Sequence, residues 1–368
     1  MELDQLWKQF QTEARAGYEL YSQDVDWAAR EKEKGIARAA RIVRDVFWAL
    51  LMKLSPARRV LLLLALVLVA FGRFGFRAGD SDAHIDMRGW GILILLLLLA
   101  LELADRVVMK RDLEIAREIQ RSLVPAKPPE TPGLELAFTT RPANTVAGDY
   151  YDAFFRNGNS GEQDASRLLL VVADVAGKSV PAALLMATFQ ASLQALAALP
   201  GSLAELVGRL NLYACAHSLG GLRFTTAFLA EYDVASGALG YINAGHNAPC
   251  LRRAGSRIER LETGGLPLGI EPGATHASAS VALTPGDLLV VFTDGMIEAV
   301  SESGEEFGEH RLGELLRSTD SAAAESAEKI LRQLMSAVDS FVGTARQHDD
   351  ITCLVMRAVS SGQPRSEN

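Results

Sequence analysis

The sequence predicts an α+β chain. A layered α+β sandwich is expected, preceded by a two-helix transmembrane hairpin and a helical linker. Three observations carry this. Two leucine-rich runs without a charge, Val60–Gly72 and Gly89–Leu101, stand close together in the first third of the chain. A segment free of Gly and Pro, Asp105–Leu123, leads from the second run to a proline cluster at Pro125, Pro128, Pro129 and Pro132. Beyond Leu134, short β-branched and leucine runs alternate with longer amphipathic ones.

Composition narrows the function classes. The 368 residues suffice for two or three structural units. The chain is 49% hydrophobic with a mean hydropathy of +0.11, and the excess sits in the two leucine runs. A net charge of −8 argues against a broad nucleic-acid-binding face, which needs a basic footprint. Cys215, Cys250 and Cys353 are far apart and form no CxxC, so neither a disulfide framework nor a thiolate zinc site is expected.

The hairpin is expected to span a membrane because a helix that is leucine all round has no water side. Phe74 and Phe76 extend the first run past Arg73, and Leu103 and Ala104 extend the second past Glu102. The turn between them, Arg77–Arg88, mixes Arg with Asp80, Asp82 and Asp86, while the outer flanks carry Lys53, Arg58, Arg59, Arg106, Lys110 and Arg111. The positive-inside rule then places both termini in the cytoplasm, with the chain a multi-pass protein of the inner (plasma) membrane. Upstream, residues 1–58 read as a helical juxtamembrane region. Its Val46–Leu54 segment suits either the membrane surface or a packed amphipathic helix. The hairpin covers 59–104 and the helical linker 105–125. Val108, Ile115, Ile119 and Leu123 recur in the linker at helical spacing, which fits either a short coiled coil in a homodimer or one helix packed on the next domain. A C-terminal domain is expected over 126–358, and 359–368 reads as a polar tail expected to be disordered.

Within 126–358, Leu168–Ala173 and Leu288–Thr293 read as buried strands, each running directly into an aspartate, Asp174 and Asp294. Further strands are expected at Phe224–Tyr232, Ala238–Asn243, Cys250–Arg253, Arg257–Leu261 and Ile351–Ala358. Helices are expected at Lys178–Ala198, Leu203–Ser218 and Ala322–Val342. Asp149 in AGDYYD and the pair Asp349–Asp350 in QHDDIT also abut apolar segments. A carboxylate at a strand end is rigidly held yet reaches water. Several together make a hard-oxygen site suited to Mg²⁺ or Mn²⁺. Two such ions can activate water and clamp a phosphate. No P-loop, HRD or GxSxG motif is present.

The segments EIQRSLVPAKPP, VAGDYYDAF, VADVAGKSVPAALLM, YINAGHNAPCLRR, GLPLGI, FTDGMIEAVSESGEEFG and HDDITCLVMR together resemble the SpoIIE/RsbU-type branch of the metal-dependent serine/threonine protein phosphatases (PPM). The resemblance implies a PPM-type β-sandwich with two Mn²⁺ or Mg²⁺ ions between its sheets. Carried over by position, Asp174 would bridge both ions, and Asp149 and the Val175 carbonyl would complete one site. Asp294 and Asp349 would hold the other, with Asp350 the alternative within the pair. A metal-bridged hydroxide would then attack a phosphoserine or phosphothreonine directly. The resemblance also implies a phosphorylated partner, of the kind seen in STAS-fold anti-anti-sigma factors within partner-switching signalling. Two rivals remain: a catalytically silent membrane scaffold, and a phosphohydrolase acting on small molecules.

Two departures from the family pattern stand out. Ala147 precedes Gly148 where two glycines are usual, and Gly177-Lys178-Ser179 replaces a G-H-G or G-K-G segment, with Ser179 a candidate helix N-cap. Around the carboxylates, Asp152 is expected just outside the ligand set or on the surface, and Tyr150 and Tyr151 in the core. Lys178 reads as a solvated lysine or a phosphate contact, and Arg141 as a candidate for phosphate. His246 reads as a turn residue or an acid, and His348 as a candidate acid.

Overall fold

In a computed structural model of the chain, residues 44, 47–48, 51–78, 81–156, 167–218, 223–318 and 325–360 are described. The expectations for residues 1–43 and for the tail beyond residue 360 lie outside them. The chain divides into two compact units, Met1–Lys110 and Arg111–Asn368.

The first unit contains helix α1 (Pro56–Phe71), an antiparallel ribbon of β1 (Arg73–Ala78) and β2 (Ser81–Asp86), and the start of helix α2 (Arg88–Ser122). Pro56 at the first turn costs α1 no hydrogen bond that a helix start would make. The two helices meet at small residues. A Cβ on Gly91 would come within 2.9 Å of the Ala65 carbonyl, so the glycine lets the backbones approach. The Arg58 guanidinium closes the base by donating to Asp105 at 2.6 Å.

Two features differ from the sequence expectation. Phe74 and Phe76 lie in β1 rather than extending the first helix, which stops at Phe71. The connection expected as a polar turn is largely β-ribbon. Moreover α1 has 16 residues, about 24 Å at the helical rise. The apolar stretch of α2 is followed by Glu102 and Asp105. Among the described residues, the helix that is long and apolar enough to cross a membrane is Ser179–Ala197. That helix packs in the core of the second unit.

The second unit is a four-layer sandwich. Strands β3 (Leu134–Arg141), β4 (Tyr150–Phe155) and β5 (Arg167–Val175) are followed by helices α3 (Ser179–Ala197) and α4 (Leu203–Ala216). Then come β6 (Thr225–Asp233), β7 (Ala238–Ala244), β8 (Cys250–Arg252), β9 (Ile258–Arg260), β10 (Gly264–Gly265), β11 (Ala279–Ala282) and β12 (Leu288–Phe292). The chain closes with α5 (Asp294–Ile297), α6 (Gly308–Ser318), α7 (Ala327–Val342) and β13 (Ile351–Ala358). One sheet has the order β10-β7-β6-β5-β4, with β11 beside β7, and the other the order β3-β13-β12-β8-β9.

Side-chain alternation sorts these strands into layers. Leu168, Leu170 and Val172 of β5 face Leu289 and Val291 of β12 and Leu354 and Met356 of β13 across the inter-sheet core. The intervening Leu169, Val171 and Ala173 face Met186, Phe189 and Leu193 of α3 and Leu206 and Leu210 of α4. On the far side, Val290, Phe292, Cys353 and Val355 pack on Leu312 and Leu316 of α6 and on Ile330, Leu334 and Val338 of α7. Because both faces of the central strands are covered, they read as continuous apolar runs rather than alternating ones. That is why the sequence reveals them plainly. Strands β3 and β4, partly polar, the short strands β10 and β11, and the short helices α5 and α6 are the elements of this unit it does not announce.

Helix α4 starts at a full capping box, Ser202 accepting from Glu205 N while the Glu205 carboxylate accepts from Ser202 N. Helix α3 lacks such a cap. Lys178, not Ser179, occupies its N-cap position, without a side-chain capping bond. Ser179 instead adopts φ +62°, a left-handed conformation that favours glycine. The expected Ser179 cap is therefore replaced by a strained turn that aims Lys178.

Leu354 is fully buried between the sheets. Leu354→Ala is expected to lower the unfolding free energy by about 2–5 kcal/mol, read from the urea midpoint at unchanged m-value.

Candidate active site

Alternation also positions the polar residues. Continuing the inward face of β5 past Val172 brings Asp174 to the open end of the inter-sheet space. Tyr150 pairs with Ala173, so Asp149, one step before the strand, comes beside Asp174. On the facing sheet, Phe292 pairs with Cys353, so continuing the register brings Thr293 level with Thr352 and Asp294 level with Ile351, next to the Asp349–Asp350 pair. A bond from Thr293 N to the Thr352 carbonyl (3.0 Å) extends that ladder. The two sheets are joined at this end by the Thr293 hydroxyl, which donates to Asp149 Oδ2 at 2.9 Å.

The proximity of the carboxylates shapes their electrostatics. Burial pushes Asp149 well above the ordinary carboxylate range, and the charges of Asp174 and Asp350 add to it. Burial raises Asp174 to about 7, with Asp294, Asp349 and Asp350 contributing, while a hydrogen bond with Asp149 opposes the rise. Two carboxyls hydrogen-bond to each other only when one keeps a proton. Burial raises Asp294 too, followed by the charge of Asp349. These side chains converge without closing into a ready ligand set. Among the described residues, no three His, Cys, Asp or Glu side chains stand together tightly enough to hold an ion as placed.

The Asp349–Asp350 pair divides its work. Asp350 is buried, and its oxygens accept from Ala143 N and Gly148 N, both at 2.7 Å. Asp349 is half-buried. Its Oδ1 accepts from Asp350 N at 2.9 Å, and its Oδ2 pairs with Lys178 Nζ at 2.7 Å. Lys178 also donates to the His348 carbonyl at 2.9 Å. It is thus tied to the carboxylates rather than simply solvated.

Backbone clamps hold the ligand-bearing turns. Gly148 packs so closely that a Cβ there would come 3.1 Å from the Val175 carbonyl. A Cβ on Gly295 would come 2.1 Å from the Asp350 carbonyl, which explains the glycine after Asp294. Arg223 donates to the Ala176 carbonyl at 3.1 Å and lies against Gly177, whose φ is +120°. From the end of α2, Gln120 Nε2 donates to the Ala147 carbonyl at 2.7 Å, and Ala147 N donates back to Gln120 Oε1 at 3.0 Å. Thr293, Arg223 and Gln120 carried no chemical signal in the sequence. Gln120 and Thr293 stood within the quoted segments EIQRSLVPAKPP and FTDGMIEAVSESGEEFG, and Arg223 in none.

The remaining candidates fall as follows. Asp152 lies on the opposite face of β4 from Asp149 and accepts from Tyr150 Oη at 2.5 Å and Gln194 Nε2 at 2.7 Å. The expectation that it sits next to the ligand set is corrected by strand parity. Tyr150 and Tyr151 are core residues. Arg141 pairs with Asp339 of α7 on the wall of a cleft of about 450 Å³ that Lys178, Arg346 and Asp349 also line. His348 is exposed. His246 is buried. Its Nδ1 lies 2.9 Å from Thr226 Oγ1, and Asn243 accepts from its backbone N–H at 2.7 Å. Its Nε2 is turned toward the Phe292 carbonyl but lacks good hydrogen-bond geometry. Thr226 pairs with Asp174 in the sheet, so the His246–Thr226 contact lies at the level of Asp174.

Two predictions follow from these contacts. Gln120→Ala removes both bonds to Ala147 and is expected to cost about 1–3 kcal/mol, with faster amide exchange at Ala147. Exchange unchanged there would remove the clamp. Burial lowers His246 to about 4, whereas an unfolded histidine protonates near about 6.5. The unfolded state then binds more protons in that window, so stability falls as pH drops through it. His246→Gln is expected to flatten the slope of Tm against pH between about 4 and 6.5 relative to wild type.

Comparison with known proteins agrees with this architecture. Residues 164–359 match the family model of Stage II sporulation protein E (SpoIIE). Protein IcfG of Synechocystis is 29% identical over 287 residues, covering 70% of this chain and 43% of that protein. Phosphoserine phosphatase RsbU of Bacillus subtilis is 27% identical over 251 residues, covering 68% of this chain and 70% of that one. The chain thus spans less than half of the first relative's length. Among solved structures, the SiaA-PP2C domain of Pseudomonas aeruginosa superposes with a TM-score of 0.58 at 23% identity, covering 69% of this chain and 98% of that one. With the family model matching more than half of its length, the chain belongs to the SpoIIE family, on the PP2C-type (PPM) serine/threonine protein phosphatase fold.

Proposed function

We propose that this chain is a metal-dependent phosphoserine/phosphothreonine protein phosphatase anchored in a membrane. The observation that carries the reading is the convergence of Asp149, Asp174, Asp294 and Asp349 at one end of two facing sheets. Their donor set fits divalent metal. Every donor is oxygen, and the carboxylates crowd negative charge that raises one another's pKa, a set suited to a hard cation such as Mn²⁺ or Mg²⁺. Asp149, Asp174 and the Val175 carbonyl would hold one ion. Asp174, Asp294 and Asp349 would hold a second. Asp349 is preferred to Asp350, because both oxygens of Asp350 are already engaged by backbone N–H groups.

Such ions, when bound, lower the pKa of water and neutralise phosphate charge. The protein's own groups supply the rest. Thr293 fixes Asp149 by its hydroxyl, and Asp350 and Gln120 fix the turn before it. Arg223 fixes the turn after Asp174. The adjoining cleft, with Arg141 and Arg346 on its wall, gives a phosphorylated segment a place beside the carboxylates.

The likeness to a protein named phosphoserine phosphatase favours a phosphoprotein substrate. We take it to be a STAS-type regulator in partner switching. The exposed leucines around α1 and the first half of α2, among them Leu63, Leu64, Leu93, Leu96 and Leu97, favour a hairpin seated in the inner membrane, with both termini and the catalytic domain cytoplasmic. In this scheme the domains run 1–58, 59–104, 105–125 and 126–358. Exposed Val108, Ile115 and Ile119 on α2 suit a homodimer through the linker.

The test uses the full chain in detergent micelles, stripped of metal. Phosphate release from a phosphoserine STAS-domain protein is measured with and without Mn²⁺, beside Asp174→Asn. Release should require Mn²⁺ and fall by more than about a hundredfold in the variant. Release from nucleotides alone would favour a small-molecule phosphohydrolase, and no metal binding at all would favour a scaffold.

A further inference from the structure

We infer that Lys178 is a tethered cation that competes with divalent metal for Asp349. The inference rests on the proposed metal site and concerns this chain's own device for controlling it. Lys178 Nζ contacts Asp349 Oδ2 at 2.7 Å and the His348 carbonyl at 2.9 Å, so one ammonium grips two consecutive residues. The other oxygen of Asp349 already accepts from Asp350 N. A divalent ion reaching Asp349 must therefore meet, and dislodge, the ammonium.

The aim of the lysine is built into the backbone. Gly177 takes φ +120° with Arg223 lying against it, Lys178 is extended at φ −132° and ψ 161°, and Ser179 takes φ +62°. A non-glycine residue in that left-handed conformation is strained. The chain keeps the conformation although it leaves α3 without a side-chain cap. The result is an N-cap residue whose long side chain runs to the other sheet.

Displacement is nonetheless cheap, because the Lys178 side chain is 56% exposed and its ammonium has water to move into. A half-exposed pair of this kind is weak and screened. The lysine therefore moderates the site rather than blocking it. It supplies one positive charge among Asp294, Asp349 and Asp350 when no other cation is there, and it repels an incoming ion. The Asp294–Asp349 side of the cluster should accordingly be the weaker and more readily emptied one. The Asp149–Asp174 side has no such lysine on its oxygens among the described residues.

The experiment is calorimetric titration of the metal-free full chain in detergent with Mn²⁺, comparing wild type, Lys178→Met and Lys178→Arg, with thermal unfolding in chelator alongside. Lys178→Met keeps the stem and removes the charge. It should bind Mn²⁺ roughly three- to tenfold more tightly at one site and unfold at lower temperature in chelator. Lys178→Arg, which keeps the charge, should bind like wild type. Unchanged or weaker Mn²⁺ binding by Lys178→Met overturns the inference. A rise in KM alone, at unchanged metal affinity, would overturn it in favour of a phosphate contact. If wild type itself takes up no Mn²⁺ and Asp174→Asn behaves identically, the metal-site reading fails, and this inference with it.

Discussion

The structure turns on one constraint: several carboxylates must be held close together against their mutual repulsion. Water would disperse them, and an apolar interior would neutralise them. The fold places Asp149, Asp174, Asp294 and Asp349 at the mouth of the space between two sheets, where rigid strands fix their backbones while part of the site still meets solvent. The layers of α3, α4, α6 and α7 cover the outer faces and make that rigidity affordable. Every strand that delivers an aspartate is buried on both sides.

Around this cluster the protein spends polar contacts on backbone rather than on the carboxylates that face the site. Asp350 holds Ala143 and Gly148, Gln120 holds Ala147, and Arg223 holds Ala176. Each bond anchors a turn next to an aspartate and leaves that aspartate's outward oxygens available. Thr293, by contrast, touches Asp149 directly and so links the two sheets, and Asp350 N donates to Asp349. Lys178 differs in kind, as a charge on an exposed stem that pairs with Asp349.

Gln120 gives the linker a structural meaning. Residues of one helix end reach the backbone two positions before Asp149, so the linker terminus is part of the frame that positions this carboxylate. The contact is made by an amide side chain imitating a strand partner.

Much of this was legible in the sequence. Long apolar runs such as Leu168–Ala173 and Leu288–Thr293 declared central strands because burial on both faces leaves no polar interruption, and the aspartates following them stood out for the same reason. The ordered motifs then pointed to the SpoIIE family. Tertiary structure alone decided what depends on pairing between distant segments. Register set Asp149 beside Asp174 and sent Asp152 to the opposite face. The left-handed turn at Ser179 carried Lys178 to Asp349. The ribbon Arg73–Asp86 ended α1 where composition suggested a longer helix. Local composition reports burial, whereas the partner of a polar side chain is fixed by through-space geometry that no single segment encodes.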